Sequence, residues 1–145
     1  MSHTSDRSFW DILKLAEGPV VASHSNCRAL CDVRRNLTDE QLRAIRDTGG
    51  VIGVNVYHGF VHAEPRMQTA AMLARHAAHI AETIGPEHVA CGFDFCEYFG
   101  PGNEGCEGME SCAQTGNFFF ELERLGFSAA ERQGIASENL LRVLE

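Results

Sequence analysis

Apolar positions along the chain fall into two patterns, short continuous runs and longer stretches with the spacing of one helix face. Three continuous runs, at residues 19–23, 51–57 and 88–93, predict buried strands. The helical stretches lie before, between and after these runs. The predicted helices cover approximately residues 5–17, 38–48, 67–84, 117–125, 128–135 and 138–144.

The start of the second predicted helix carries a specific signal. Thr38 precedes the apolar stripe of Leu42 and Ile45, and Gln41 stands three residues after Thr38. This spacing predicts a capping box, in which each side chain binds the backbone N–H of the other residue. Gly49 and Gly50 then end the helix.

The order of these elements indicates the fold class. Apolar strands that alternate with amphipathic helices predict an α/β fold with a parallel sheet and right-handed crossovers. Three strands with flanking helices are compatible with a small open sheet. They are equally compatible with the C-terminal part of a (β/α)₈ barrel, which usually needs about 250 residues.

Composition and charge narrow the range of partners. Hydrophobic residues make up 44% and charged residues 22% of the chain, as in soluble globular proteins. The net charge of −8 argues against a nucleic-acid or anionic-membrane partner. We find no signal peptide and no apolar segment of the roughly 20 residues that a membrane helix requires. A cytoplasmic location with reduced cysteines is therefore expected.

Polar side chains follow each predicted strand. His24 lies within a Ser-His-Ser-Asn segment after the first strand, Asn55 and His58 close the second, and Asp94 follows the third. His3 stands where a preceding strand would end. Chemistry in parallel α/β folds lies at the carboxyl edge of the sheet, and imidazoles combined with a carboxylate are typical of metal sites. A purely structural, hydrogen-bonded role remains the alternative for each histidine.

Five motifs have the order and spacing of a known family. They are Ser2-His3-Thr4-Ser5, the segment 18–26 (GPVVASHSN), Arg34-Arg35-Asn36, the segment 50–55 (GVIGVN) and Gly92-Phe93-Asp94-Phe95. Together they span nearly the whole chain. The sequence resembles the C-terminal portion of the membrane (renal) dipeptidases, the zinc metallodipeptidases of peptidase family M19.

The resemblance implies a fold, an activity and four site residues. Members of this family form a (β/α)₈ barrel that hydrolyses dipeptides with two zinc ions at its C-terminal mouth. The resemblance implies that His3 and His24 bind zinc and that Arg35 binds the terminal carboxylate of the dipeptide. It implies that Asp94 lies beside the metal-bound water and the scissile peptide bond.

The first-strand His-x-Asp and the bridging glutamate of the family have no counterpart in these 145 residues. We therefore expect residues 1–145 to form a single partial domain, the C-terminal portion of the barrel. The isolated chain should be inactive unless a longer reading frame or a partner chain supplies the N-terminal half, and a homo-oligomer is also possible.

One segment departs from the family pattern. Cys96 and Glu97 follow Asp94-Phe95 where the family has Asp-Gly, so the loop over residues 96–112 is expected to alter pocket shape or specificity rather than metal binding. The glutamates of this loop, including Glu104, are expected to face solvent.

Other interpretations of the same residues remain open. Arg35 could form a surface ion pair with Asp32 or Asp39. The chain could be a non-catalytic α/β module that associates through a sheet edge, or part of a barrel amidohydrolase that acts on an amide other than a dipeptide. His76 and His79 share a helix face and predict packing or surface roles.

Overall fold

The three strands form one parallel sheet, as predicted. The computed structural model describes all residues, 1–145, and contains β1 (Val21–Ala22), β2 (Val51–Val54) and β3 (Val89–Cys91) in the order β1-β2-β3. Val21 is paired with Val51, and Ile52 with Val89. The strands are shorter than the apolar runs from which they were predicted; β2, for example, ends at Val54 rather than at residue 57.

Seven α-helices surround this sheet. They are α1 (Asp6–Leu15), α2 (Asp39–Asp47), α3 (His58–Val61), α4 (Ala70–Ile84), α5 (Thr115–Arg124), α6 (Ala129–Gln133) and α7 (Asn139–Leu144). The short helix α3 has no helical apolar spacing of its own and was not predicted. A π-helical turn, Gly134–Glu138, joins α6 to α7, so the last two predicted helices form one continuous segment.

The predicted cap of α2 is confirmed. Thr38 Oγ1 accepts a hydrogen bond from the Gln41 N–H at 3.2 Å, and Gln41 Oε1 accepts one from the Thr38 N–H at 2.9 Å. Helix α4 begins at Ala70 rather than at the predicted residue 67, because Pro65–Met67 forms a separate 3-10 turn. Thr69 is the N-cap of α4, and its side chain accepts a hydrogen bond from the Met72 N–H. The amino-terminal ends of α2 and α4 are therefore fixed by side chains next to them in the sequence.

A single hydrophobic core joins sheet and helices. Twenty-three buried apolar residues form one connected cluster, which includes Phe9 of α1, Ile52 of β2, Leu73 of α4 and Phe118 of α5. Every residue of β2 is buried, as expected for a parallel strand covered on both faces. No helix combines the length and apolar character needed to cross a membrane.

Two glycines allow the carboxyl ends of the strands to approach one another. A Cβ atom on Gly53 or on Gly92 would collide with the carbonyl oxygen of Ser23, and the same atom on Gly53 would lie 2.8 Å from Gly92 Cα. Only glycine fits at such positions. The polar residues that follow the strands are therefore held close together.

The histidines of α4 have structural roles, as the sequence predicted. His76 is fully buried; its Nδ1 accepts a hydrogen bond from the Cys27 N–H at 3.0 Å, and its Nε2 donates to the Val61 carbonyl at 2.8 Å. Burial lowers the pKa of His76 to about 4. His79 pairs with Asp39 at 2.7 Å. All six cysteines are free thiols.

Candidate functional site

The four site residues predicted from the sequence meet at the carboxyl edge of the sheet. The rings of His3 and His24 have centroids 5.0 Å apart, and His24 Nε2 lies 3.9 Å from Asp94 Oδ2. Arg35 approaches His3 with 3.1 Å between the guanidinium and Nε2. Residues far apart in the chain are thus neighbours in one site.

The amino-terminal segment reaches the site by running beside β1. The amino group of Met1 donates to the carbonyl oxygen of Val21 at 2.7 Å, and Ser2 Oγ accepts the His24 N–H at 2.9 Å. His3 has φ of 68°, a left-handed conformation that is uncommon for a residue with a side chain. These contacts place the imidazole of His3 next to that of His24.

His24 presents a ring nitrogen without a partner. Its Nδ1 lies 2.8 Å from Ser23 Oγ, whereas Nε2 is buried and makes no hydrogen bond. Burial lowers the pKa of His24, although the nearby carboxylate of Asp94 opposes this shift. The imidazole is therefore neutral over a wider pH range, and if Nδ1 carries the proton, Nε2 keeps a lone pair for a ligand.

Arg35 is directed into the site rather than toward an acidic surface residue. Its guanidinium carbon lies 5.1 Å from the centroid of the Phe60 ring, and one of its terminal nitrogens is buried without a hydrogen-bond partner. The alternative is wrong: Arg35 forms no ion pair with Asp32 or Asp39 and contacts His3 instead, while Asp39 pairs with His79. Burial lowers the pKa of Arg35, and the charge of Asp94 works in the opposite direction.

Asp94 is held in a strained conformation by a buried amide. It has φ of 60°, and its Oδ2 accepts a hydrogen bond from Asn55 Nδ2 at 3.1 Å. Asn55 is fully buried and also accepts the Tyr57 N–H at 2.7 Å, while its own N–H is bound by Asn26 at 2.9 Å. Strained residues held in this way are concentrated at functional sites.

A cavity of about 460 Å³ opens beside these residues and is lined by His3, Arg35 and Asp94. Its volume is in the range of sites that bind small molecules. A second cavity of about 420 Å³ lies between α4 and the segment after α5 and contains none of the four candidate residues.

Sequence reasoning missed part of the cavity wall. Phe60, Phe99 and Glu104 line the cavity. Glu104 is exposed, as the sequence predicted, but its place at the cavity was not predicted. No periodicity marks the loop that carries Phe99 and Glu104. Backbone contacts with the segment after β2 bring this loop to the site: an isolated bridge joins Gly105 to Tyr57, and the Cys106 N–H donates to the Val56 carbonyl. No local sequence signal predicts these contacts.

The side chains present fit part of a zinc site. Two imidazoles that share one space, one with a buried and unpartnered nitrogen, are typical zinc ligands. Catalytic zinc centres commonly use three protein ligands for each ion, and no group of three or more His, Cys, Asp or Glu side chains in this chain could hold a metal. The residues therefore fit the imidazole portion of a centre, not a complete one.

Comparison with known proteins gives a consistent result. The family model for membrane dipeptidase (peptidase family M19) matches residues 1–145. Dipeptidase ataJ of Aspergillus terreus is 33% identical over 146 residues, which cover 100% of this chain and 35% of that protein. A Klebsiella pneumoniae protein encoded in the pqqA 5′ region is 47% identical over 98 residues, or 66% of this chain and 36% of that protein.

Solved structures show the same relationship. A metallopeptidase from Rhodobacter sphaeroides, bound to a phosphinate mimic of the dipeptide L-Ala-D-Ala, superposes with a TM-score of 0.86 at 28% identity. The match covers 99% of this chain and 40% of that chain. The chain thus spans about a third of the length of the curated relatives named above, at 35% and 36%.

Proposed function

This chain belongs to the membrane dipeptidase family, peptidase family M19, and we propose that it supplies half of the active site of a zinc-dependent dipeptidase. The observation that carries the proposal is the presence of two buried, unpartnered polar groups at one edge of the sheet: His24 Nε2, which lies 3.9 Å from Asp94 Oδ2, and one terminal nitrogen of Arg35, whose other terminal nitrogen contacts His3. Buried polar groups are nearly always hydrogen-bonded, so two such groups among neighbouring residues favour a missing ligand.

His3 and His24 would hold zinc in the complete site. When bound, two zinc ions would lower the pKa of a water molecule and polarise the peptide carbonyl. His24 is suited to this role because burial favours its neutral form. His3 Nε2 is in contact with Arg35 at 3.1 Å, so binding of zinc to that atom requires the guanidinium to release it.

Arg35 would bind the terminal carboxylate of the substrate. A guanidinium offers a planar pair of N–H donors that matches a carboxylate. Its position against Phe60 fixes the plane of the group, and one terminal nitrogen has no partner within the protein. A substrate carboxylate would satisfy that donor and would select peptides with a free C-terminus close to the scissile bond.

Asp94 would move the proton during hydrolysis. Its carboxylate can accept a proton from the attacking water and deliver it to the nitrogen of the leaving amine as the C–N bond breaks. Asn55 occupies Oδ2 through a hydrogen bond of 3.1 Å, which orients the carboxylate for this transfer.

The remaining metal ligands would come from outside these 145 residues, on a longer polypeptide or on a partner chain. Support comes from the two-histidine donor set, which is too small for a binuclear centre. We accordingly propose that the 145-residue chain by itself does not hydrolyse dipeptides.

A chimera tests this function. Residues 1–145 would replace the matching portion of the Rhodobacter sphaeroides metallopeptidase, and zinc-dependent hydrolysis of L-Ala-D-Ala would be measured. We expect activity that falls by about 100-fold or more with His24→Ala or Asp94→Asn, whereas His62→Ala, outside the cavity, should leave it unchanged. A folded chimera that binds two zinc ions but cleaves no dipeptide would show that the substrate assignment is wrong.

A further inference from the structure

The loop after Asp94 gives the candidate cavity an acidic and aromatic wall. Phe99 and Glu104 line the same cavity as Arg35 and Asp94. This is also the loop in which the sequence departs from the family pattern, at Cys96.

The position of the wall is fixed by Gly105. This glycine bridges to Tyr57, and the next residue, Cys106, donates its N–H to the Val56 carbonyl at 2.8 Å. A Cβ atom on Gly105 would collide with a backbone carbonyl and would lie 3.1 Å from a methyl group of Val56. The close backbone contact holds the neighbouring Glu104 at the cavity.

Glu104 has no cationic partner in the protein. Its Oε2 accepts one hydrogen bond, from the Gly102 N–H at 2.7 Å, and no lysine, arginine or histidine forms an ion pair with it. A carboxylate in the wall of a binding cavity favours ligands that place a positive charge beside it.

The rest of the cavity suits a ligand with a charge at each end. Arg35 offers an unpartnered guanidinium nitrogen to an anion. Phe60 and Phe99 line the same space and present aromatic surface, on which the methylene stem of a long cationic side chain can pack.

We propose that Glu104 makes this pocket prefer dipeptides that carry a cationic side chain, such as that of lysine or ornithine. The inference rests on the proposed dipeptide function, since Arg35 must hold the carboxylate of the same ligand. Because Glu104 is exposed, we expect a preference of about two- to fivefold over a neutral side chain of the same length, decreasing as salt is added.

The test compares two dipeptides that differ only in this charge. Alanyl-lysine and alanyl-2-aminoheptanoate, whose pentyl side chain matches that of lysine in length, would be titrated into the ¹⁵N-labelled chain, and the Kd values would be taken from amide chemical shifts at low ionic strength. The variants are E104Q, E104K and E107Q. The last removes the same charge from the same loop, but Glu107 does not line the cavity.

We expect tighter binding of alanyl-lysine, loss of this preference in E104Q and its retention in E107Q. In E104K the preference should reverse, and alanyl-glutamate should bind best. Equal Kd values for the two dipeptides in the unmodified chain would overturn the inference. So would an equal loss of both in E104Q, which would mean that Glu104 binds the α-ammonium group.

The proposed function fails in a different way. Binding of neither dipeptide, or binding that R35M leaves unchanged, would contradict the role of Arg35 itself and the inference with it. If R35M weakens binding but the charged and the neutral dipeptide bind equally, the proposed function is supported and only the inference about Glu104 is wrong.

Discussion

Buried asparagines hold the walls of the candidate site in place. Asn26 donates to the carbonyl oxygens of Asn55 and Phe60 at 2.9 and 3.2 Å, and Asn36 donates to Cys31 and Phe60 at 2.9 Å each. The Phe60 carbonyl thus accepts two amide donors while its ring packs under a guanidinium. Such fully buried amides resist replacement because the backbone groups they bind would lose their partners.

Arg35 gives the most direct test of substrate recognition at the residue scale. In the active chimera, R35M should lower kcat/KM for a dipeptide with a free carboxylate by about 30-fold, since a charged hydrogen-bond pair contributes about 2 kcal/mol. The C-terminally amidated dipeptide should be affected much less. Steady-state kinetics on both substrates checks this. An equal decrease in kcat/KM for both would show that Arg35 does not bind the substrate carboxylate.

His76 predicts a pH dependence of stability. Its pKa is about 4 in the folded protein, because burial disfavours the charged ring, against 6.5 for an ordinary histidine. The unfolded chain therefore binds this proton at a higher pH than the folded chain does. The contribution of neutral His76 to the free energy of unfolding is fully present above about pH 6.5. This contribution is lost as the pH falls to about 4, which lowers the free energy of unfolding by up to about 3 kcal/mol.

Urea unfolding of the chain and of His76→Asn, at pH 7 and at pH 4.5, measures this contribution. The variant should be less stable at pH 7, because hydrogen bonds to Cys27 and Val61 are disturbed. It should also lose less stability on acidification than the unmodified chain does. If acidification lowered the free energy of unfolding equally in both proteins, the pH dependence would not come from His76.

At the scale of elements, glycines set how closely the strand ends can approach. Gly53 follows the middle of β2 and Gly92 follows β3, and both contact the backbone at Ser23. The terminal helical segment is attached to the beginning of β3 by Asn139, which donates to the carbonyl oxygens of Pro86 and Val89 at 2.9 and 2.7 Å. Site geometry therefore depends on backbone packing as much as on the site residues.

Gly53→Ala should be strongly destabilising. The added Cβ meets rigid backbone rather than a side chain that can move, so we expect a loss of at least about 3 kcal/mol or failure to fold. Gly116→Ala is the matched control, since Gly116 lies in α5 with no atom within 4 Å of the added group. That substitution should stabilise the chain by up to about 1 kcal/mol. Chemical denaturation of both variants measures these changes. A Gly53→Ala variant as stable as the unmodified chain would contradict the close backbone packing at Gly53.

The whole molecule is organised around one core. Buried residues from α1, the sheet, α4 and α5 belong to the same cluster of 23, and Ile135 connects the terminal helical segment to it. No part of the chain has a separate hydrophobic core. The elements that carry the site are therefore expected to fold and unfold together.

Calorimetry tests this cooperativity. The isolated chain should unfold in one transition, with an enthalpy of about 100 kcal/mol near 60 °C for a domain of this size and agreement between calorimetric and van't Hoff values. Two resolved transitions, or a broad non-cooperative one, would contradict a single core.

The sequence by itself determined the features that depend on neighbouring residues. Alternation of apolar runs and helical stretches predicted the parallel three-stranded sheet, and Thr38 with Gln41 predicted the capping box, because periodicity and capping act over one or two turns. The strand-end positions of His24 and Asp94 followed from the same pattern. Five motifs in order were enough to indicate the family.

Only the tertiary structure decided which distant groups are in contact. His3 and Arg35 are 32 residues apart in sequence, and their contact replaces the ion pairs that local charges suggested for Arg35. Glu104 reaches the cavity through the bridge between Gly105 and Tyr57. Such contacts depend on how the whole chain packs, and no local preference of these residues encodes them.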